Sequence, residues 1–217
     1  MANIFKFGAA AIAATAILSS SAAAQGGFVG VEGALLQSQL KLDYPFSNLL
    51  DDPKDTSMEL GLKGGYDFDT FRIWGGLSLR TAGSQIYNSN LTNGSDTVNI
   101  NGKFIWQTNN ILLGVNYTPP LNYKYKLSLG AYTGLSIVKG EFNGQAESQN
   151  ASGPYTLGYH SKSGVGNLFG AKLGAIYEVD RNNEIEFGIK GDYQTTTIDE
   201  YNNIRNYGLY VGYNLKF

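Results

Sequence analysis

The chain has 217 residues, a length that suits one domain, and carries 16 Lys+Arg against 18 Asp+Glu for a net charge of −2. It has no cysteine, which excludes disulfides, thiolate metal sites, a cysteine nucleophile and a lipidated cysteine anchor. The near-balanced charge offers no basic field, so nucleic acid is not an expected partner.

Residues 1–24 read as a secretory signal. Lys6 is the only charge there, an apolar run from Phe7 to Leu18 is too short to span a bilayer, and small residues from Ser19 to Ala24 end in an A-x-A pattern. Cleavage after Ala24 would leave Gln25–Phe217 as a single domain. The remainder holds no long apolar helix, yet the chain is rich in Gly (28), Tyr (15) and Phe (11) and has only 5 Pro. Glycine and aromatics with alternating polarity are what a transmembrane barrel needs.

Eight segments alternate with period two, so each presents one apolar and one polar or small face. The first, about Gly27 to Leu40, sets Val29, Val31 and Leu35 against Gly30, Glu32 and Ala34. The second sets Met58, Leu60, Leu62, Tyr66 and Phe68 against Glu59, Gly61, Lys63 and Asp67, and the third Phe71, Ile73, Leu77 and Leu79 against Arg72, Trp74, Gly76 and Arg80. The fourth, about Lys103 to Tyr117, alternates only in its second half; Phe104-Ile105-Trp106 breaks the pattern. The fifth runs Tyr125–Ile137 with Lys126, Tyr132 and Ser136 on the polar side, and the sixth Phe169–Val179 with Lys172 and Glu178 there. The seventh sets Ile185, Phe187 and Ile189 against Glu184, Glu186, Lys190 and Asp192. The last sets Tyr207, Leu209, Val211, Tyr213, Leu215 and Phe217 against Asn206, Gly208, Tyr210, Asn214 and Lys216.

The connections alternate in length. Asp67–Thr70, Thr118–Tyr123 and Asp180–Asn183 are short and carry turn residues. Asp43–Thr56, Thr81–Gly102, Gly140–Ser163 and Thr195–Asn203 are long and rich in Asn, Ser, Gly and Thr. These four are expected to be loops on the outer side of the membrane.

The apolar parity is expected to face lipid. Charged residues make up 16% of the chain against about 25% in soluble domains. Glycines crowd the polar parity, where the narrow interior of an eight-stranded barrel has room only for tightly packed groups. Aromatics such as Tyr66, Phe68, Phe71, Tyr117, Tyr125 and Tyr177 stand near segment ends, as in an interfacial girdle. A one-residue slip would turn Glu59, Lys63, Arg72 and Lys190 toward hydrocarbon, which fixes the register. The expected fold is all-β, an eight-stranded antiparallel up-and-down transmembrane barrel. Its lumen is predicted to hold a polar network of Glu32, Glu59, Lys63, Arg72, Arg80, Lys126, Lys172, Glu178, Glu186 and Lys190, joined by Glu184, Asp192 and Lys216.

With these segments and the terminal Tyr207–Phe217 strand, the chain resembles the small outer-membrane β-barrels of Gram-negative bacteria, of the OmpA-transmembrane-domain and opacity-protein type. The resemblance implies an outer-membrane location, with lipid and lipopolysaccharide around the barrel. It implies that Tyr213, Leu215 and Phe217 form the C-terminal signal read by the barrel-assembly machinery. It also implies a structural or surface-interaction role, with a host or cell-surface ligand for the long loops, or alternatively a small-solute or ion channel, with a lipid A-modifying enzyme as the remaining alternative.

No cofactor is expected, and no enzyme. Lipid A deacylases of this barrel size place Ser two residues after a catalytic His; here the single histidine, His160, is followed at that spacing by Lys162. Loop acids Asp51, Asp52 and Asp55, and Asp199 with Glu200, are the only candidates for a divalent ion, and solvated loop carboxylates are the simpler reading.

Overall fold

The computed structural model describes residues 26–43, 52–93, 96–148, 155–198 and 201–217. The predicted signal segment, Asp51, Asp199 and Glu200 lie outside them. Nine strands follow in order: β1 (Gly27–Leu42), β2 (Lys54–Asp67), β3 (Phe71–Arg80), β4 (Gly83–Asn93), β5 (Asp96–Tyr117), β6 (Tyr125–Ser148), β7 (Tyr155–Glu178), β8 (Asn183–Thr195) and β9 (Tyr201–Lys216).

The ring nevertheless has eight staves. Apart from β3 and β4, which do not pair with each other, consecutive strands pair antiparallel; β3 pairs with both β2 and β5, and β1 pairs with both β2 and β9, which closes the sheet. β4 continues β3 after a break at Thr81-Ala82. The partner of Leu79 is Asn109 and that of Gly83 is Trp106, so the strand gains one residue on β5 across the break. This is a bulge, which bends the stave and splits one expected strand into two.

Two of the four expected long loops are therefore mostly strand. Thr81–Gly102 contains β4 and the upper part of β5, and Gly140–Ser163 contains the upper parts of β6 and β7. β5, β6 and β7 are 22, 24 and 24 residues long, about twice the 9–11 that a tilted strand needs to cross a membrane. On the opposite side the turns are tight. Asp69 adopts φ 67 between β2 and β3, a left-handed conformation that Asp tolerates better than most residues. Asp180 accepts from the Asn182 and Asn183 amides and the Asn183 side chain, which holds its carboxyl below the ordinary range.

The parity is as expected. Leu35, Leu60, Ile73, Leu113, Phe169, Ile189, Leu209 and Val211 face outward and are exposed, while Glu59, Lys63, Arg72, Lys172 and Glu186 point inward and are buried. Aromatic pairs stand at the lower boundary, Phe71 with Tyr117 (5.2 Å between centroids) and Tyr125 with Tyr177 (5.1 Å). Phe169 and Tyr193, register partners on β7 and β8, form part of the upper one. An exterior of exposed Leu, Ile, Val and Phe between two aromatic rows fits hydrocarbon, not water.

Candidate functional site: a filled lumen beneath a projecting sheet

The inward side chains form three tiers. Near the short-turn end, the Arg72 guanidinium meets Asp67 and Glu184, each at 2.7 Å, and Lys216 reaches Glu184 at 2.8 Å. Lys126 and Glu178 pair at 3.0 Å at this rim, half-buried, and Glu178 also reaches Lys216 at 3.5 Å.

The middle tier gathers charges from β1, β2, β7 and β8. Lys63 contacts Glu186 at 2.6 Å and Glu32 at 3.3 Å. Lys172 contacts Glu186 at 3.1 Å and Glu32 at 3.4 Å. Lys190 bridges Glu32 (2.8 Å) and Glu59 (2.6 Å). The ammonium of Lys172 also lies over the Trp74 and Tyr210 rings, 5.0 and 5.2 Å from their centroids, and Lys190 lies over Tyr132 at 5.5 Å. Above, Arg80 joins Glu59 and Asp192, both at 2.5 Å, and Asp192 also accepts from Asn206, Gln194 and Tyr132.

Six carboxylates (Glu32, Glu59, Asp67, Glu184, Glu186, Asp192) thus face six cations (Lys63, Arg72, Arg80, Lys172, Lys190, Lys216). The plug is neutral as a whole, which is what allows so many charges to be buried. A cavity of about 20 Å³ lies among Glu32, Glu59, Lys63, Trp74, Tyr132 and Lys172, room for about one water.

The charge pattern in the sequence found most of this network. It missed the neutral part: Ser128, Asn116, Ser78 and Asn110 link the carboxylates to the wall, as in Ser128 Oγ donating to Glu186 (3.0 Å) and Asn110 Nδ2 to Ser78 Oγ (2.9 Å). Asp67 was visible as a polar-parity residue but not as an ion-pair partner.

Over the plug the lumen turns apolar. Leu40, Leu42, Phe104, Trp106, Val138, Ile198, Tyr201 and Ile204 form one buried cluster, with Tyr87 and Phe142 packed against it. Here the polarity of the wall inverts: Lys41, Lys103 and Lys139 point outward while their neighbours in sequence, Leu42, Phe104 and Val138, point inward. Phe104-Ile105-Trp106, irregular as a lipid-facing segment, is regular on this account. Below the inversion the barrel is solvated by lipid; above it, by water.

The candidate metal ligands are otherwise engaged. Asp52 accepts from the Leu42 amide and the Gln39 side chain, and Asp55 from the Thr56 and Ser84 amides. No group of three or more potential metal ligands occurs among the described residues. His160 lies on β7 opposite Phe142.

A closed sheet with a lipid-compatible exterior and a charge-filled interior defines a transmembrane β-barrel. The chain belongs to the outer membrane protein beta-barrel domain family, whose model matches residues 9–217, and it is a protein of the outer membrane. No curated relative matches the sequence. Among solved structures it is similar to Neisserial surface protein A (TM-score 0.54, 16% identity, 88% of this chain and 97% of that one). It is also similar to Ail, the attachment invasion locus protein of Yersinia pestis (TM-score 0.48, 17% identity, 88% and 99%). At such identities the likeness is one of fold.

Proposed function

We propose that the barrel is a closed anchor and that its function lies in surface contact made by the β4–β5–β6–β7 sheet above the membrane. The observation that carries this reading is the filled lumen. A conduit needs a continuous wet path, and here twelve paired charges cross the lumen beneath a buried apolar cluster. The long strands offer the other half of the argument, since a protein that only spanned the membrane has no use for 24-residue strands.

On this reading the protein is not an enzyme. His160→Ala is expected to leave lipid A unchanged by mass spectrometry. Tyr213, Leu215 and Phe217, all lipid-facing on or beside β9, serve export and assembly. The decisive test is planar-bilayer conductance of the refolded, full-length protein. No resolvable steps are expected in molar KCl, and a steady conductance would replace this reading with the channel one.

A further inference from the structure

The projecting sheet has an open edge with an unusual sequence. β4 pairs with β5 from Gly83↔Trp106 to Asn93↔Asp96 without a register shift. Among the described residues no strand pairs with its other side. Among the described residues, side chains and backbone of β2 close the root of that side: the Ser84 amide donates to Asp55 Oδ2 (2.7 Å) and the Lys54 amide to Gln85 Oε1 (2.5 Å). Because the Ser84 amide points away from β5, strand alternation directs the N–H and C=O of Ile86, Asn88, Asn90 and Thr92 to the open side as well. Proteins blunt such edges with charge, proline or a bulge. Ser84–Asn93 has no charged residue and no proline.

The same segment is close to palindromic. In Ile86-Tyr87-Asn88-Ser89-Asn90-Leu91-Thr92, Ser89 is flanked by two Asn, then by the large apolar pair Tyr87 and Leu91, then by the β-branched pair Ile86 and Thr92. An antiparallel pair of identical strands has a dyad, and only a dyad through Ser89 maps the four open-side residues onto themselves. Ile86 then pairs with Thr92 of the second copy and Asn88 with Asn90, so all eight open backbone groups of each edge are bonded. Ser89 meets Ser89 at the closely spaced, non-hydrogen-bonded position.

We propose that β4 is a self-recognition edge, pairing antiparallel with β4 of a second copy of this chain held in a facing membrane. Two copies in one membrane point the same way. A dyad along the membrane normal sets donors opposite donors, whereas the antiparallel pair requires opposed barrels. The inference rests on the projecting sheet being the contacting part of the protein, and it is read out by vesicle clustering, independently of conductance.

The test uses the full-length protein refolded into two vesicle populations, one carrying an affinity-tagged chain. Native protein is expected to cluster the vesicles, seen by light scattering. The chain has no cysteine, so Ser89→Cys in both populations should give tagged–untagged disulfide dimers after mixing with a mild oxidant, at least tenfold above Asn93→Cys. Asn88→Pro with Asn90→Pro removes two open-side N–H groups and spares the β5 ladder. It should abolish clustering while the barrel still migrates as folded on an unboiled gel. Any of three results overturns the proposal: no clustering by folded native protein, equal cross-linking at Ser89 and Asn93, or clustering that survives the two prolines.

Discussion

Glu186 is where the plug converges. Its carboxylate takes Lys63 at 2.6 Å, Lys172 at 3.1 Å, and the hydroxyls of Ser128 and Tyr210 at 3.0 Å each. Glu186→Leu would leave Lys63 and Lys172 to share Glu32 with Lys190. An uncompensated buried charge costs about 3–5 kcal/mol, so a loss of that size is expected in urea titration of the vesicle-bound protein, followed by tryptophan fluorescence. Adding Lys172→Met should recover part of it, because the charge count is again balanced. Glycine acts at the same scale through space. A Cβ on Gly170 would collide with the Tyr132 ring, and one on Gly114 with the Trp74 indole. Gly170→Ala is expected to cost about 1–3 kcal/mol, and less than that in a Tyr132→Ala background, where the obstructing ring is gone.

At the scale of the strand, the change in side-chain polarity locates the outer surface of the membrane. Ile189 lies within the lipid-facing band, 54% exposed, and Ile86 lies above it, 67% exposed. Ile189→Arg should therefore cost about 2–4 kcal/mol, and Ile86→Arg close to nothing; unfolding titrations that gave equal costs would move the boundary. The same change decides what could be read from sequence. Met58–Asp67 and Tyr207–Phe217 announce themselves because lipid demands apolar residues at every second position. Ser84–Asn93 and Gly140–Ser148 do not, since a strand in water tolerates Asn, Ser, Gln and Glu, and such a strand has the composition of a loop. The charged members of the plug were legible from parity alone. Which of them touch was not, because pairs such as Lys63 with Glu186 and Arg80 with Asp192 cross the lumen between strands that are not neighbours. The bulge at Thr81-Ala82 left no mark in the pattern that distinguishes it from the end of a strand.

As a whole the molecule is a stiff cylinder locked by a neutral core. Such barrels are expected to resist detergent, so the unboiled protein should migrate differently from the boiled one on a gel; identical migration would contradict a closed barrel. The seam between β1 and β9 bears on how that cylinder comes to exist. It joins Phe28 to Lys216, so the contact that completes the ring spans nearly the whole described chain and carries the largest loop-closure entropy. Before it forms, β1 and β9 each present a row of unbonded backbone groups, which hydrocarbon penalises by several kcal/mol apiece. A half-inserted sheet is thus worse off than either an unfolded or a finished one. Insertion and closure must then occur as one cooperative event, with slow kinetics set by the meeting of the two most distant strands.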